Sequence, residues 1–357
     1  MLNDYITVEN LACVAGILLF GAWLLRTSLG RNALSDCPSR RNNMPFYLPF
    51  VPLFVWFVGV SLAVSLTRKL LGNLQGWQGA FVDNLVLGIG AVVTIVVIVF
   101  LARASFARGL KGFGLNLRRI HRDFFAALVL LLAVWPLLLA AIILTTYLGR
   151  LIWGPQYQIE QHTQLELITS HSQLPLRILV IVVATVCAPL LEEMLFRGLF
   201  QTMVRSYLAG RLIRQTDGGL TAEHAGNAER KTPSQTTDFT DAVLSGAKNP
   251  ASCRMFRLRL SSVNPCKSVS KKNSATPASA GASLSPRKRG AVENTWQAIA
   301  ISSIVFATAH QNPAHWPALL LLGACLGYAY EKTGSLFRAI FIHALFNALT
   351  ITAVLYG

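Results

Sequence analysis

Residues 177–200 read RILVIVVATVCAPLLEEMLFRGLF. The first half is a run of Ile, Leu, Val and Ala, and the whole stretch exceeds the ~20 residues that a helix needs to cross the hydrocarbon core of a bilayer. Its second half sets Glu192, Glu193 and Arg197 into this apolar run. Ionised groups at membrane depth are costly unless paired or hydrated, so they mark functional sites by default. The plainer alternative is a helix that ends in interfacial water at Glu192.

Outward from this stretch the same pattern recurs. Apolar blocks lie near 6–25, 45–66, 80–102, 124–147, 177–200, 296–310, 315–331 and 337–356. They predict an all-α, polytopic transmembrane helix bundle of about eight spans. The sixth and seventh blocks are short and nearly contiguous, so one of them is expected to be re-entrant or strongly tilted. Composition agrees, because the chain is 53% hydrophobic and 13% charged, against roughly a quarter charged in soluble domains. The six cysteines show no CxxC pair or zinc-like spacing. The N-terminal MLNDYITVEN lacks the basic region of a signal peptide, so the first block is expected to be a retained span.

The formal charge of +16 is distributed between the apolar blocks. This placement fits the positive-inside rule and gives no reason to expect a nucleic-acid partner. Lys and Arg concentrate in 26–42, 103–123 and 205–294, which predicts that these three segments share the cytoplasmic face, with both termini outside. Residues 205–294 are rich in Ser, Thr, Ala, Gly and Asn and carry more than half of the net charge. They are expected to form a polar, disordered, cytoplasmic insert that acts as a solvated spacer, the alternative being a segment that rests against anionic headgroups. The resulting division is N-terminal membrane helices in 1–104, a second helix bundle in 105–204 and 295–357, and the insert between its halves. The whole chain is expected in the plasma membrane of a bacterium.

Glu193 and Arg197 are four residues apart, a spacing that places them on one helix face within pairing distance. Glu192 is turned ~100° away and stays available for another partner. Pro189 cannot donate to the carbonyl of Thr185, which predicts a kink or a freed carbonyl there. Two other blocks add polar groups, the sixth with Phe306 and His310 and the eighth with His343 and Asn347, each pair again four apart. Three spans with buried polar groups are better explained by one shared interior site than by three separate burials. Such a site holds a carboxylate to take a proton from water, imidazoles to orient or donate, and an amide for an oxyanion. No Ser or Cys stands in a nucleophile arrangement, so the chemistry indicated is attack of an activated water on a carbonyl. Glu192, His310 and His343 are also candidate ligands for a divalent metal such as zinc, although the HExxH signature is absent, and a site with no metal is equally consistent.

The set EExxxR (Glu192, Glu193, Arg197), FxxxH (Phe306, His310) and HxxxN (His343, Asn347) resembles the CPBP (Abi) family of CAAX prenyl proteases. The resemblance covers roughly 105–357 and includes GFGLNLRR at 112–119. It implies an intramembrane endopeptidase, which in eukaryotic members removes the last three residues after a prenylated cysteine. Carried over, Glu192 and His310 would activate the water, Glu193 with Arg197 would brace the site, and His343 with Asn347 would stabilise the oxyanion. The implied partners are the bilayer and a membrane-associated peptide or lipidated protein. A reading from another class is a non-catalytic membrane protein, either an ion-coupled transporter or a bacteriocin-immunity scaffold. One difficulty concerns depth: His310 should lie ~21 Å into the sixth block, whereas Glu192 sits close to the end of the fifth.

Overall fold

The computed structural model describes residues 7–38, 40, 42–72, 74–160, 163–210, 286–310 and 312–356. Ten helices account for nearly all of them: α1 (Val8–Arg26), α2 (Phe50–Leu71), α3 (Gly76–Ser105), α4 (Gly109–Phe113), α5 (Ile120–Trp153), α6 (Thr163–Ser170), α7 (Leu174–Gly210), α8 (Pro286–Thr308), α9 (Trp316–Thr333) and α10 (Leu336–Tyr356). Each of the eight apolar blocks falls on a helix. Among the described residues, α2, α3, α5 with the short turn before it, α7 and α10 are long and apolar enough to cross a membrane, and α1 is a shorter apolar helix. Helices suit these sequences because a chain in hydrocarbon must satisfy its own backbone groups.

The outer surface is greasy. Leu18, Phe54, Leu62, Phe100, Ile143 and Leu151 are all well exposed, as expected of side chains that face lipid. The interior carries the polar groups instead, with Glu193, Arg197, Gln201, Ser302 and Glu331 fully buried. Around them pack Phe113, Leu191, Leu195, Phe306, Leu326 and Tyr330.

Two helix boundaries differ from the sequence reading. The fifth block was expected to end near Phe200, but α7 continues to Gly210. The sixth was expected to begin near Trp296, but α8 starts at Pro286. Both ends of the expected 205–294 insert are therefore helical, and the rest of it lies outside the described residues. The two extensions lengthen both helices by ten residues and so leave the depth difference at about 9 Å, at 1.5 Å per residue. The conflict closes by contact instead, since His310 Nε2 lies 4.0 Å from Glu192 Oε2.

The described parts of the basic segments gather at one end of the bundle. Arg40 pairs with Glu331 at 3.1 Å, and Arg205 meets the same carboxylate. Asn42 bridges Phe106, and the Leu336 N–H donates to Gly114 O at 3.0 Å. Gly114 is needed there: its φ of +110° is left-handed, and a Cβ would lie 2.9 Å from Gly334 O. At the other end Arg68, one of the few cations of the second connection, is held by Asp83. On a cysteine-free background, Arg31→Cys and Arg118→Cys are thus expected to label from one face of sealed vesicles and Gln156→Cys from the other. Labelling of the first two from opposite faces would overturn this arrangement.

Close packing around α7 depends on Gly198, where a Cβ would stand 2.2 Å from the Phe113 ring. Phe113 is itself buried and cannot retreat to solvent. Gly198→Leu is expected to cost at least the ~1–3 kcal/mol typical of overpacked cores, read as a lowered Tm in detergent. An unchanged Tm would show that α4 is free to move away.

Candidate active site

The middle of α7 is not regular α-helix. Residues Val183–Cys187 and Glu193–Gln201 are π-helical, and Pro189 lies between the two segments. In the first, the Ala188 N–H donates to Val183 O, five residues back. In the same register Ala184 O would need a donor from residue 189, and proline has none. The freed carbonyl is thus that of Ala184, one residue before the position expected from α-helical spacing. Asn347 of α10 fills the gap, donating its side-chain amide to Ala184 O at 2.8 Å. π segments inside helices are frequent at functional sites.

The second π segment turns Glu193 and Arg197 inward. Both are fully buried, and Arg197 Nε lies 3.3 Å from Glu193 Oε2. The guanidinium carbon is 4.2 Å from the Phe306 ring centroid, and Nη2 donates to Gly323 O at 3.3 Å. Glu193 Oε1 meets His343 Nδ1 at 3.0 Å. Arg197, Glu193 and His343 therefore form a continuous polar chain from α7 to α10.

Glu192 projects the other way, as the helical offset requires. Its Oε2 is enclosed between two imidazoles, 4.0 Å from His310 Nε2 and 3.9 Å from His343 Nε2. His310 lies just beyond the end of α8 and is held by Phe306 O, 2.9 Å from its Nδ1. A carbonyl and a carboxylate can only accept, so each imidazole donates through Nδ1 and turns Nε2 toward Glu192. The Phe306 ring lies edge-on to both, with centroids at 5.0 and 5.5 Å. Exposure separates the roles these groups can play. The Glu192 and His310 side chains are 24% and 20% exposed, against 4% for His343 and none for Glu193 and Arg197.

Five of the six residues picked from the sequence, Glu192, Glu193, Arg197, His310 and His343, thus lie in one polar cluster, and the sixth, Asn347, is one turn along α10 from His343 with its amide on Ala184 O. The candidate metal set fares differently. Among the described residues no three His, Cys, Asp or Glu side chains are grouped as metal ligands. The gaps of 3.9 and 4.0 Å exceed the roughly 3.3 Å between donors around a tetrahedral ion with 2.0–2.1 Å bonds.

Residues 282–349 match the family model "Type II CAAX prenyl endopeptidase Rce1-like". The similarity covers that segment, about a fifth of the chain. The match contains Phe306, His310, His343 and Asn347, in agreement with the resemblance drawn from the motifs. At the family level it supports a CAAX-type protease integral to the membrane. No curated protein and no solved structure matches significantly. The α7 carboxylates precede the Rce1-like segment, and the contacts of Glu192 and Glu193 with its two histidines join them to it.

Two further residues escaped the sequence reading. Gln201 is buried and donates to Glu331 Oε1 at 3.0 Å and to Gly327 O at 3.3 Å. Its signal was present, since Glu193, Arg197 and Gln201 recur every four residues. Ser302 of α8 donates to Phe196 O at 3.1 Å, satisfying a carbonyl inside the second π segment.

Proposed function

We propose that this protein is an intramembrane endopeptidase that hydrolyses a peptide bond near the C-terminus of a membrane-associated substrate, in the manner of enzymes acting on prenylated chains. The observation that carries the reading is the placement of Glu192: a carboxylate with open surface, flanked by two oriented imidazoles from other elements, with a sealed Glu193–Arg197 pair behind it.

In this mechanism a water bound at the open edge of Glu192, beside His310, gives a proton to the Glu192 carboxylate as its oxygen attacks the scissile carbonyl. The developing oxyanion is met by His343 in its protonated form and by the Asn347 N–H that Ala184 does not use. Glu193, fixed by Arg197, accepts from His343 Nδ1 and stabilises the imidazolium. Collapse of the tetrahedral adduct breaks the C–N bond, and the proton held by Glu192 passes to the leaving amine. The products are a new carboxylate and a short peptide.

The reading is tested with purified protein and a farnesylated C-terminal peptide, following release of the last three residues by mass spectrometry. Release is expected, and His310→Ala should slow it by about 10²–10⁴-fold with little change in Tm. Equal turnover by His310→Ala would remove the imidazole from the mechanism. Absence of cleavage for prenylated and unmodified membrane peptides alike would favour the transporter or immunity-scaffold readings.

A further inference from the structure

A cavity of about 320 Å³ lies at the basic end of the bundle between α5, α9 and the start of α10. One wall is apolar, made by Ala126, Val129 and Leu130 of α5. Val129 is half exposed on the lipid-facing surface, so the cavity opens sideways toward the bilayer. The opposite side is cationic and donor-rich, with Lys332 and Arg338 joined by Tyr328.

The donors there are uncommitted in a specific way. The Tyr328 hydroxyl accepts from Trp23 Nε1 at 2.9 Å and so keeps its own hydrogen to give. Asp123 holds Arg338 through Nε and Nη2, leaving Nη1. The carboxylates nearest in sequence are already engaged, Asp123 by Arg338 and Ser335, and Glu331 by Arg40, Arg205 and Gln201. Lys332 has no carboxylate partner among the described residues. A cationic, donor-lined pocket with an apolar wall open to lipid is complementary to a phosphate carrying acyl chains.

We propose that this cavity binds one anionic glycerophospholipid, its headgroup phosphate held by Lys332, Arg338 and the Tyr328 hydroxyl and an acyl chain lying along Ala126, Val129 and Leu130. The site is remote in function from the Glu192 cluster, and the test below uses no peptide, so it stands or falls independently of the peptidase reading.

Purified protein is exchanged into equimolar phosphatidylglycerol and phosphatidylcholine, and retained lipid is read by native mass spectrometry beside Tm. The parent is expected to retain phosphatidylglycerol preferentially and to gain Tm from it. Lys332→Gln should weaken retention by about five-fold, the scale expected for one cation near a headgroup. Ala126→Trp, which fills the cavity without changing charge, should abolish it. Lys111→Gln, which removes an exposed cation at the same end but outside the cavity, should change nothing. The proposal is overturned if the parent shows no preference, if Lys332→Gln binds as the parent does, or if Lys111→Gln weakens binding as much as Lys332→Gln. It is also overturned if millimolar inorganic phosphate raises Tm equally and displaces the lipid, which would make free phosphate the ligand. Should Ala126→Trp fail to fold, the comparison of Lys332→Gln with Lys111→Gln decides.

Discussion

Glu192→Gln is expected to yield a folded protein whose hydrolysis falls by about 10²–10⁴-fold, and by more if the same side chain also positions the water. Glutamine keeps the volume and still offers an oxygen between His310 and His343, but cannot take the proton that the attack releases. The carboxylate already lies 3.9–4.0 Å from the two Nε2 atoms, beyond direct hydrogen-bond reach. Losing its charge therefore breaks no short contact, and Tm should move little. Turnover of a farnesylated peptide and thermal unfolding of the same preparation separate these effects. Near-parental turnover by a folded Glu192→Gln protein would remove the general base from the mechanism.

The neighbouring substitution should behave in the opposite sense. Glu193→Gln strands Arg197 as a buried cation and leaves His343 Nδ1 a neutral amide oxygen in place of a charged acceptor. Removing one partner of a buried pair typically costs ~3–5 kcal/mol, a large part of the 5–15 kcal/mol that holds a typical soluble protein folded. The phenotype expected is a markedly lower Tm and poor recovery from detergent, with activity lost as a consequence of instability. A double change that removes both charges, Glu193→Gln with Arg197→Met, should recover part of the stability while remaining inactive. If Glu193→Gln were as stable as the parent, the pair would not be bracing the site.

The contrast between adjacent carboxylates was legible in the sequence because it needs only helical geometry. Residues four apart share a face, and the next residue does not. The approach of His310 and His343 to Glu192 was also legible, since a polar group in lipid has few places to go except inward. Span positions followed from block length alone.

What was not legible came from departures from regular helix and from long-range partners. The stretch from Gln201 to Gly210 and the one from Pro286 to Thr295 are polar, so a hydropathy criterion stops short of both, although each continues its helix. The π segments of α7 cannot be read from a 3.6-residue period. They move the carbonyl freed by Pro189 to Ala184, where Asn347 binds it. This ties down a side chain for which the sequence suggested only an oxyanion contact. Glu331 resembles an ordinary charge at a span end until its partners appear. Arg40 is 291 residues away in sequence, and Arg205 and Gln201 are 126 and 130 away.

The most direct measurement of the central claim is cleavage of a farnesylated C-terminal peptide in heavy-oxygen water, with the products weighed. A Glu192-activated water predicts release of the terminal three residues and one heavy oxygen in the newly formed carboxylate, with neither product appearing for Glu192→Gln. Cleavage by Glu192→Gln at the parental rate, or a new C-terminus that carries no heavy oxygen, would contradict it.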